Sequence, residues 1–441
     1  MYTYIGCRTT KERNARGLGI RIFDVNEKWI PSTIVDSFDN PSYLITDNNK
    51  KFIYAVHGDF DKVSSYKIEG DGNLTFLNRV DSTGKNPVYM VCSRDNRFVF
   101  VATLQGGTIA TLPRLDDGSL GEAFGKLYVE KYFPAKAKEE MVTLVDYLKK
   151  SFAEHIKNVT WMSDATKAKA QEKLNAFTVK IGYPDKWRDY SKLAISADKS
   201  FYENLKEVTR FEQDFNMSEF GKTVDRERWL MNPQDVNAYY MPTTNEICFP
   251  AGILQPPFFN PNADDAVNYG AIGVVIGHEM THGFDDQGRH YDKDGNMTDW
   301  WTAEDGKNFE ARTGKYADFF SAIKVLPDLY ANGKLTLGEN LADHGGLEVA
   351  FNAFMKTPEA KAGKTIMGFT PEQRFFIAYA GVWANNITEA EIRSRVKSDP
   401  HSLGEWRVNG ALPHINAWYK AFGVKEGDKL FIPESKRLKL W

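Results

Sequence analysis

The stretch Ala271–His282 reads AIGVVIGHEMTH, and it is the most informative segment of the 441-residue chain. Its first seven residues, Ala271–Gly277, carry no charge and run directly into the five residues HEMTH. An uncharged run of this kind is typical of a buried helix. On a helix, residues i and i+4 lie one above the other, so the imidazoles of His278 and His282 would share one face.

This spacing predicts a catalytic zinc site, because two imidazoles one turn apart can bind the same ion at about 2.0–2.1 Å each. Glu279 could then reach the water that the metal activates, and it could remove a proton from that water as a general base. The alternative is a buried helix whose histidines have no metal to bind. A catalytic zinc also needs a third protein ligand, and a histidine six residues after His282 is excluded because that position is Gly288.

A carboxylate on a later predicted helix can complete the metal site. Glu339 would be the third zinc ligand, and Asp343 lies one helical turn further along the same face. Asp343 would accept the second ring N–H of His278, and Asp285 would do the same for His282, which fixes the tautomer of each ring. Taken alone, the two acids of the later helix would be interpreted as a solvated helix N-terminus.

Composition excludes several classes of protein. The chain is 42% apolar and 26% charged, as expected for a globular protein with a core, and its net charge of −3 gives no support for a nucleic-acid partner. No apolar run reaches the ~18 residues of a membrane span. The N-terminus has no signal-peptide pattern, so the expected location is cytoplasmic by default and otherwise open. The three cysteines do not form a disulfide framework or a zinc-finger spacing.

The N-terminal part contains an internal repeat. Asn40–Tyr43 (NPSY) recurs 46 positions later as Asn86–Tyr89 (NPVY), and the surrounding residues are rich in β-formers and in Asp-Gly turns. The same offset aligns two further pairs of segments: Lys51–Ala55 with Arg97–Val101, and Asp71–Leu74 with Asp117–Leu120. Strand-rich units of this period are typical of β-propeller blades.

On these segments, residues 1–122 resemble the first blades of the propeller-type lactonases, the family that includes 6-phosphogluconolactonase. About two and a half blades cannot close a propeller, which takes roughly 4–8 of them. His57 and Asp59 are the only pair that would suggest a lactonase site here. They are interpreted instead as solvated loop residues.

Residues 124–441 resemble the neprilysin-type zinc endopeptidases, which include bacterial oligopeptidases. The resemblance rests on six parts of the chain: Val236–Tyr240, Phe249–Phe259, Gly277–Asp286, Asp299–Trp301, Gly338–Asp343 and Trp441. It implies a mainly α-helical, thermolysin-like (gluzincin) catalytic domain over 201–441. Residues 124–200 would be a helical remnant of the domain that covers the cleft in this family. The expected fold class is therefore multidomain, with partial β-propeller blades at 1–122 followed by a mainly α-helical peptidase.

The same resemblance implies roles for residues that sequence reasoning alone does not single out. Asn237 and Ala238 would hold the substrate backbone. His401 would stabilise the oxyanion of the tetrahedral intermediate, and Arg407 would hydrogen-bond the substrate carbonyl beside the cleaved bond. Without the resemblance, His401 would rank no higher than the other isolated histidines of the chain.

The function predicted from these observations is a zinc-dependent endopeptidase or oligopeptidase, with one Zn²⁺ per chain and Glu279 as the general base. Peptides are the expected substrates, and the protein is expected to be a monomer. Two alternatives stay open: a fragment of a propeller-type lactonase, and an inactive fusion of two truncated genes. His344 follows Asp343 directly, and it is interpreted as a surface or supporting residue rather than a ligand.

Overall fold

The computed structural model describes residues 2–11, 14–25, 29–36, 39–46, 50–82, 85–92, 98–105, 109–113, 121–196, 198–199 and 201–440. The chain divides into two compact units. The β unit comprises Met1–Leu120 and Asp189–Lys222, and the helical unit comprises Gly121–Arg188 and Thr223–Trp441. Within the described ranges, no helix is long and apolar enough to span a lipid bilayer.

The β unit contains antiparallel sheets whose strands follow one another along the chain. The first sheet consists of β1 (Tyr2–Gly6), β2 (Ile20–Val25) and β3 (Trp29–Val35). The second consists of β4 (Pro41–Thr46), β5 (Phe52–His57), β6 (Lys62–Ile68) and β7 (Leu74–Asp81). The third consists of β8 (Lys85–Cys92), β9 (Phe98–Gln105) and β10 (Ile109–Pro113). The helix Phe201–Ser218 also belongs to this unit.

The sequence repeat is visible in the backbone of this unit. Asn40 and Asn86 both adopt left-handed conformations, with φ of 46° and 56°, and both side chains are buried. The Asn40 side-chain oxygen accepts from the Thr9 amide at 2.7 Å, and that of Asn86 accepts from the Asp59 amide at 3.0 Å. Asparagine tolerates this backbone conformation better than most residues, which explains its use at both positions. That these sheets are propeller blades remains a prediction.

The interpretation of His57 as a solvated loop residue was wrong. His57 is the last residue of β5, and its side chain is fully buried. Its ring nitrogens lie 2.6 Å from the Asp39 carbonyl oxygen and 2.7 Å from the Ser64 hydroxyl, and burial lowers its pKa. Asp59 is exposed, as expected, and it pairs with Arg8 at 2.6 Å. The sequence pattern did not reveal that β5 extends to His57, where neighbouring segments cover the ring.

The helical unit is built mainly from α-helices. Its first helices are α1 (Gly121–Tyr132), α2 (Ala135–Asn158) and α3 (Asp164–Asn175), and α4 is the helix Phe201–Ser218 of the β unit. The later helices are α5 (Asp265–Asn268), α6 (Val274–His282), α7 (Ala303–Ser321), α8 (Leu337–Phe354), α9 (Pro358–Ala362), α10 (Pro371–Val382), α11 (Glu389–Ser398), α12 (Gly404–Asn409) and α13 (Asn416–Phe422). A π-helical turn, Tyr269–Gly273, joins α5 to α6.

Short strands accompany these helices. β11 (Thr178–Gly182) pairs in parallel with β13 (Glu246–Pro250), which pairs antiparallel with β12 (Tyr239–Met241). The order β11-β13-β12 leaves β12 at one edge of this sheet. A separate hairpin is formed by β14 (Lys324–Leu326) and β15 (Leu329–Tyr330).

One apolar core runs through the helical unit. It includes Leu148 of α2, Ile276 of α6, Leu347 of α8 and Phe375 of α10, all nearly or fully buried. Helices α2 and α8 are also joined by a buried hydrogen bond from the Ser151 hydroxyl to the Val349 carbonyl at 2.8 Å. The early helices and the helix that carries HEMTH therefore share one core.

Helices α6 and α8 pack together at their glycines. A Cβ added to Gly277 would lie 2.8 Å from Gly346 Cα, and one added to Gly346 would lie 2.5 Å from the Val274 carbonyl oxygen. Both distances are too short for real Cβ atoms, so only glycine allows the two backbones to come this close. The close approach places the start of α8 beside the histidines of α6.

Candidate metal centre

Two imidazoles and a carboxylate converge where α6 meets the start of α8. The Nε2 atoms of His278 and His282 are 3.0 Å apart, and Glu339 oxygens lie 3.2 Å from the first and 3.6 Å from the second. All three ligating atoms lie within 4.8 Å of one another. A tetrahedral centre with bonds of about 2.05 Å separates its ligands by roughly 3.3 Å, so the observed spacing suits a zinc ion.

The donor set gives a second reason to expect a cation at this place. Glu339 Oε2 is buried and has no hydrogen-bond donor among the described residues, although it lies 3.2 Å from His278 Nε2 and 3.4 Å from His401 Nε2. A buried carboxylate oxygen without a partner is costly. Burial raises the pKa of Glu339, but the close approach of His278 and the charges of both histidines outweigh burial and hold that pKa far below its usual range. Glu339 is therefore an ionised, unsatisfied carboxylate, as a metal ligand should be.

Each histidine is oriented by a carboxylate behind it. His278 Nδ1 lies 2.9 Å from Asp343 Oδ1, and His282 Nδ1 lies 2.7 Å from Asp285 Oδ2. These contacts make each Nδ1 a donor, so each Nε2 presents its lone pair to the centre. Burial lowers the pKa of His278, but Asp343 and Glu339 outweigh burial and raise it to about 10. The acids around the ring thus favour a positive charge, which either a proton or a metal ion can supply.

Arg407 is buried beside the candidate metal site, where Asp343 holds its guanidinium group. Its Nε and Nη2 donate to the two Asp343 oxygens at 2.7 and 2.6 Å, which is the bidentate geometry of a strong ion pair. The guanidinium carbon lies 3.8 Å from the centre of the Trp383 ring. Sequence reasoning paired Asp343 with His278 alone, and nothing in the spacing of the chain indicated its second partner.

His401 reaches the same centre from the segment after α11. Its Nε2 lies 3.4 Å from Glu339 Oε2, while its Nδ1 is held by Asp399 at 2.8 Å. Asp399 also accepts from the His401 amide and, at 2.6 Å, from Arg395 Nε. Asp399, which supports His401, lies only two positions before it in the sequence DPH at 399–401. Sequence reasoning missed both Asp399 and Arg395.

Glu279 is buried beside the two histidines. Burial raises the pKa of its carboxyl group, although the charges of His278 and His282 oppose that effect. A carboxylate with a raised pKa is a stronger base than one in water, so it suits proton transfer near neutral pH.

These residues line one cavity of about 840 Å³. Asn237 and Ala238 line it too, immediately before the edge strand β12, and Phe258 and Trp383 contribute apolar surface. Asn237 is exposed, whereas Ala238 is nearly buried. The structure thus gathers every predicted site residue of the helical unit around a single opening.

Three of the other histidines of the helical unit lie elsewhere. His344 is buried, and its ring packs edge-on against Tyr316, so it is not on the surface. Burial lowers the pKa of His344 to about 3, which leaves the ring neutral. His414 is also buried and accepts the Leu438 amide, and His290 lies beside Asp299. None of the three is among the residues that line the cavity.

Comparison with known families agrees with this geometry. Residues 237–438 match a family model described as Peptidase family M13, and residues 92–184 match a second model with the same description. The chain is 36% identical over 321 residues to an endothelin-converting enzyme homolog of Locusta migratoria, covering 70% of this chain and 44% of the relative. It is 40% identical over 308 residues to neprilysin-11 of Caenorhabditis elegans, covering 67% of this chain and 36% of the relative.

Solved structures give the same result for the fold. The crystal structure of the Mycobacterium tuberculosis zinc metalloprotease Zmp1 with an inhibitor superposes with a TM-score of 0.68 at 44% identity, covering 73% of this chain and 49% of that one. PepO of Lactobacillus rhamnosis gives a TM-score of 0.68 at 35% identity, with 73% and 50% coverage. This chain therefore spans about half the length of such relatives, or less.

Proposed function

Because this chain belongs to peptidase family M13 through its two matched segments, we propose that it is a zinc-dependent endopeptidase or oligopeptidase. Its substrates would be peptides, and it would bind one zinc ion per chain. The observation that carries the proposal is the convergence of His278, His282 and an unsatisfied Glu339 oxygen in a cavity beside Glu279. The four groups are those that metal-assisted peptide hydrolysis requires.

His278, His282 and Glu339 would hold the metal, and Asp343 and Asp285 would keep the two rings in the ligating tautomer. When bound, zinc would polarise the scissile carbonyl and lower the pKa of a water molecule in the cavity. The chain's own contribution at this step is geometric, since a carboxylate holds each of the two histidines in place before the metal binds.

Glu279 would act as general base. It would take a proton from the attacking water as the carbon–oxygen bond forms, and it would return a proton to the leaving amine as the carbon–nitrogen bond breaks. Burial among apolar helices supports this role, because it raises the pKa of the carboxyl group towards the working pH.

His401 would stabilise the negative charge that develops on the scissile carbonyl oxygen, and Arg407 would hydrogen-bond the substrate carbonyl beside the cleaved bond. Asp399 holds His401 through Nδ1, which leaves Nε2 turned towards the cavity. Asp343 engages Nε and Nη2 of Arg407, so Nη1 can donate to the substrate carbonyl. Donors fixed before the reaction need no reorganisation, and removal of one such donor typically costs about 10²–10³-fold in kcat.

Asn237 and Ala238 would bind the substrate backbone. They line the cavity directly before β12, the edge strand of its sheet. An edge strand offers unpaired backbone groups, so an extended peptide could add to it as a further strand.

Further proposals concern the whole chain. Residues 1–122 would be part of a lactonase-type β-propeller, 124–200 the helices of a covering domain, and 201–441 the catalytic domain. The protein would be a monomer, and no location is proposed. No lactonase activity is proposed either, because both ring nitrogens of His57 are within hydrogen-bonding distance of neighbouring protein atoms.

The proposed function is tested by Glu279→Gln. We expect the rate of cleavage of an internally quenched peptide to fall about 10²–10⁴-fold, because the base is lost, while the zinc content stays that of the parent protein. Glu348→Gln is the matched control, since Glu348 also lies on a helix of this unit but does not line the cavity. Unchanged cleavage by Glu279→Gln would reject Glu279 as the base.

A further inference from the structure

A buried lysine outside the cavity forms hydrogen bonds with the segment that follows α6, the helix that carries His278 and His282. Lys173 lies near the end of α3, and its side chain is 1% exposed. Its Nζ donates to the carbonyl oxygens of Gly283 at 2.7 Å, Gly288 at 2.8 Å and Tyr291 at 2.6 Å. An ammonium group has three N–H donors and a neutral amine has two, so this set of acceptors fits the charged form.

These three carbonyls belong to the loop 283–291, which carries the carboxylate behind His282. Gly283 directly follows His282 at the end of α6, and Asp285 lies between the two glycines. Asp285 accepts from His282 Nδ1 at 2.7 Å and from the Gly288 amide at 2.7 Å. Lys173 therefore holds the loop on both sides of the residue that orients His282.

The surroundings of Lys173 make its donors hard to replace. The rings of Tyr240, Phe284 and Trp300 lie 5.6–5.8 Å from Nζ, so the ammonium group has little access to water. Burial lowers the pKa of Lys173 to about 7, and the charges of Asp285 and Asp292 oppose that shift. A cation at the C-terminus of α6 also suits the direction of the helix dipole. Without Lys173, each of the three carbonyl oxygens would lose a donor, although Gly288 would still accept from the Tyr291 amide and Tyr291 from the Trp300 indole N–H.

We propose that Lys173 is a positioning residue for the metal centre, holding the loop 283–291 so that Asp285 can orient His282. The proposal deepens the proposed function and rests on it for the identity of the metal. It gives α3 a part in building the site, although α3 lies in the segment 92–184 and the loop lies in the separately matched segment 237–438.

A purely structural lysine would stabilise the unit without affecting metal binding in particular. Lys180 of β11 provides the matched control, because it comes from the same part of the chain and is also buried. Its Nζ donates to both Glu246 oxygens at 2.9 Å and to the Arg228 carbonyl at 2.8 Å, and not to the loop 283–291.

The experiment compares Lys173→Met with Lys180→Met in the full chain. Zinc affinity is measured by competition with a chelator, and the melting temperature by calorimetry. Hydrogen exchange in the metal-free protein is followed at the Gln287 and Gly288 amides, which both donate to Asp285 Oδ1, at 2.9 and 2.7 Å. We expect Lys173→Met to raise the zinc Kd about 10–100-fold, as loss of support for a ligand commonly does, and to speed exchange of both amides. Lys180→Met should lower the melting temperature and leave zinc Kd and both amides unchanged.

An unchanged zinc Kd in folded Lys173→Met, or an equal loss in Lys180→Met, would overturn the proposal. If Lys173→Met does not fold, Lys173→Gln keeps two N–H donors without the charge and allows the same comparison. Failure of the proposed function can be distinguished from failure of the Lys173 proposal, because in the first case the parent protein itself would not bind zinc. The amide exchange rates of the metal-free protein would still test the role of Lys173 in that case.

Discussion

Three carboxyl groups on α8 differ in ionisation because their neighbours differ. Glu339 faces two histidines, and Asp343 faces Arg407 and His278, so in both residues the cations outweigh burial and the pKa stays low. Glu348 lies further along the same helix, and burial alone raises its pKa to about 7. The neighbours supplied by other elements therefore decide which acid can bind a metal, orient a ligand or hold a proton.

The raised pKa of Glu348 predicts how stability depends on pH. The ordinary pKa is 4.5, so between pH 4.5 and about 7 the folded protein retains a proton that the unfolded chain has lost. Stability contributed by this proton is complete below pH 4.5 and is lost as the pH rises to about 7. Glu348→Gln should thus stabilise the protein by on the order of 2 kcal/mol at pH 8 and change little at pH 4.

Melting temperatures of parent and Glu348→Gln protein across pH 4–8 check this expectation. A difference between the two proteins that stays constant over the whole range would contradict it.

At the scale of elements, the site depends on how closely α6 and α8 approach. Gly346→Ala would place its Cβ 2.5 Å from the Val274 carbonyl oxygen and 2.8 Å from the His278 amide nitrogen. The helices would have to separate, which we expect to cost about 1–3 kcal/mol and to displace His278 from Glu339. Calorimetry and zinc content should both show a loss.

Gly314→Ala is the control for this prediction. Gly314 lies inside α7, and a Cβ there would meet no atom within 4 Å. Alanine is the better helix former, so this change should stabilise the protein by about 0.5–1 kcal/mol and leave zinc content unchanged. Equal stability of Gly346→Ala and the parent protein would show that the two helices do not need a glycine contact.

The sequence could predict the parts of the site that depend on local spacing. The i, i+4 pair of His278 and His282 shares one face of α6, and the four-residue step from Glu339 to Asp343 follows one turn of α8. Contacts between distant segments had no such signal. Gly346 resembles a helix breaker until α6 is placed beside it, and Lys173 resembles an ordinary surface lysine of an amphipathic helix.

His401 and Arg407 could be found only through the family resemblance, since no spacing ties them to α6. In the β unit the repeat could be recognised in the sequence from Asn40 and Asn86, because the left-handed backbone at both positions favours asparagine. The burial of His57 could not be predicted from the sequence, because it depends on a loop and a strand that pack around the ring.

At the scale of the whole molecule, the helical unit joins two stretches of chain in one core. Phe152 of α2 packs edge-on against Phe284, just after α6, with ring centres 5.2 Å apart. Asp305 of α7 accepts from the Ser163 and Thr166 hydroxyls at 2.5 and 2.6 Å, next to the start of α3. These contacts predict that the early helices are needed for a folded metal centre, so the tests should use the full chain.

The central claim is that His278, His282 and Glu339 bind one zinc ion that peptide hydrolysis requires. It is tested most directly by removing metal from the full chain with a chelator and adding zinc in steps while peptide cleavage is measured. We predict no cleavage by the metal-free protein, a linear rise in cleavage with added zinc, and a plateau at one equivalent per chain. Cleavage by the metal-free protein, or a folded protein that zinc does not activate, would contradict the claim.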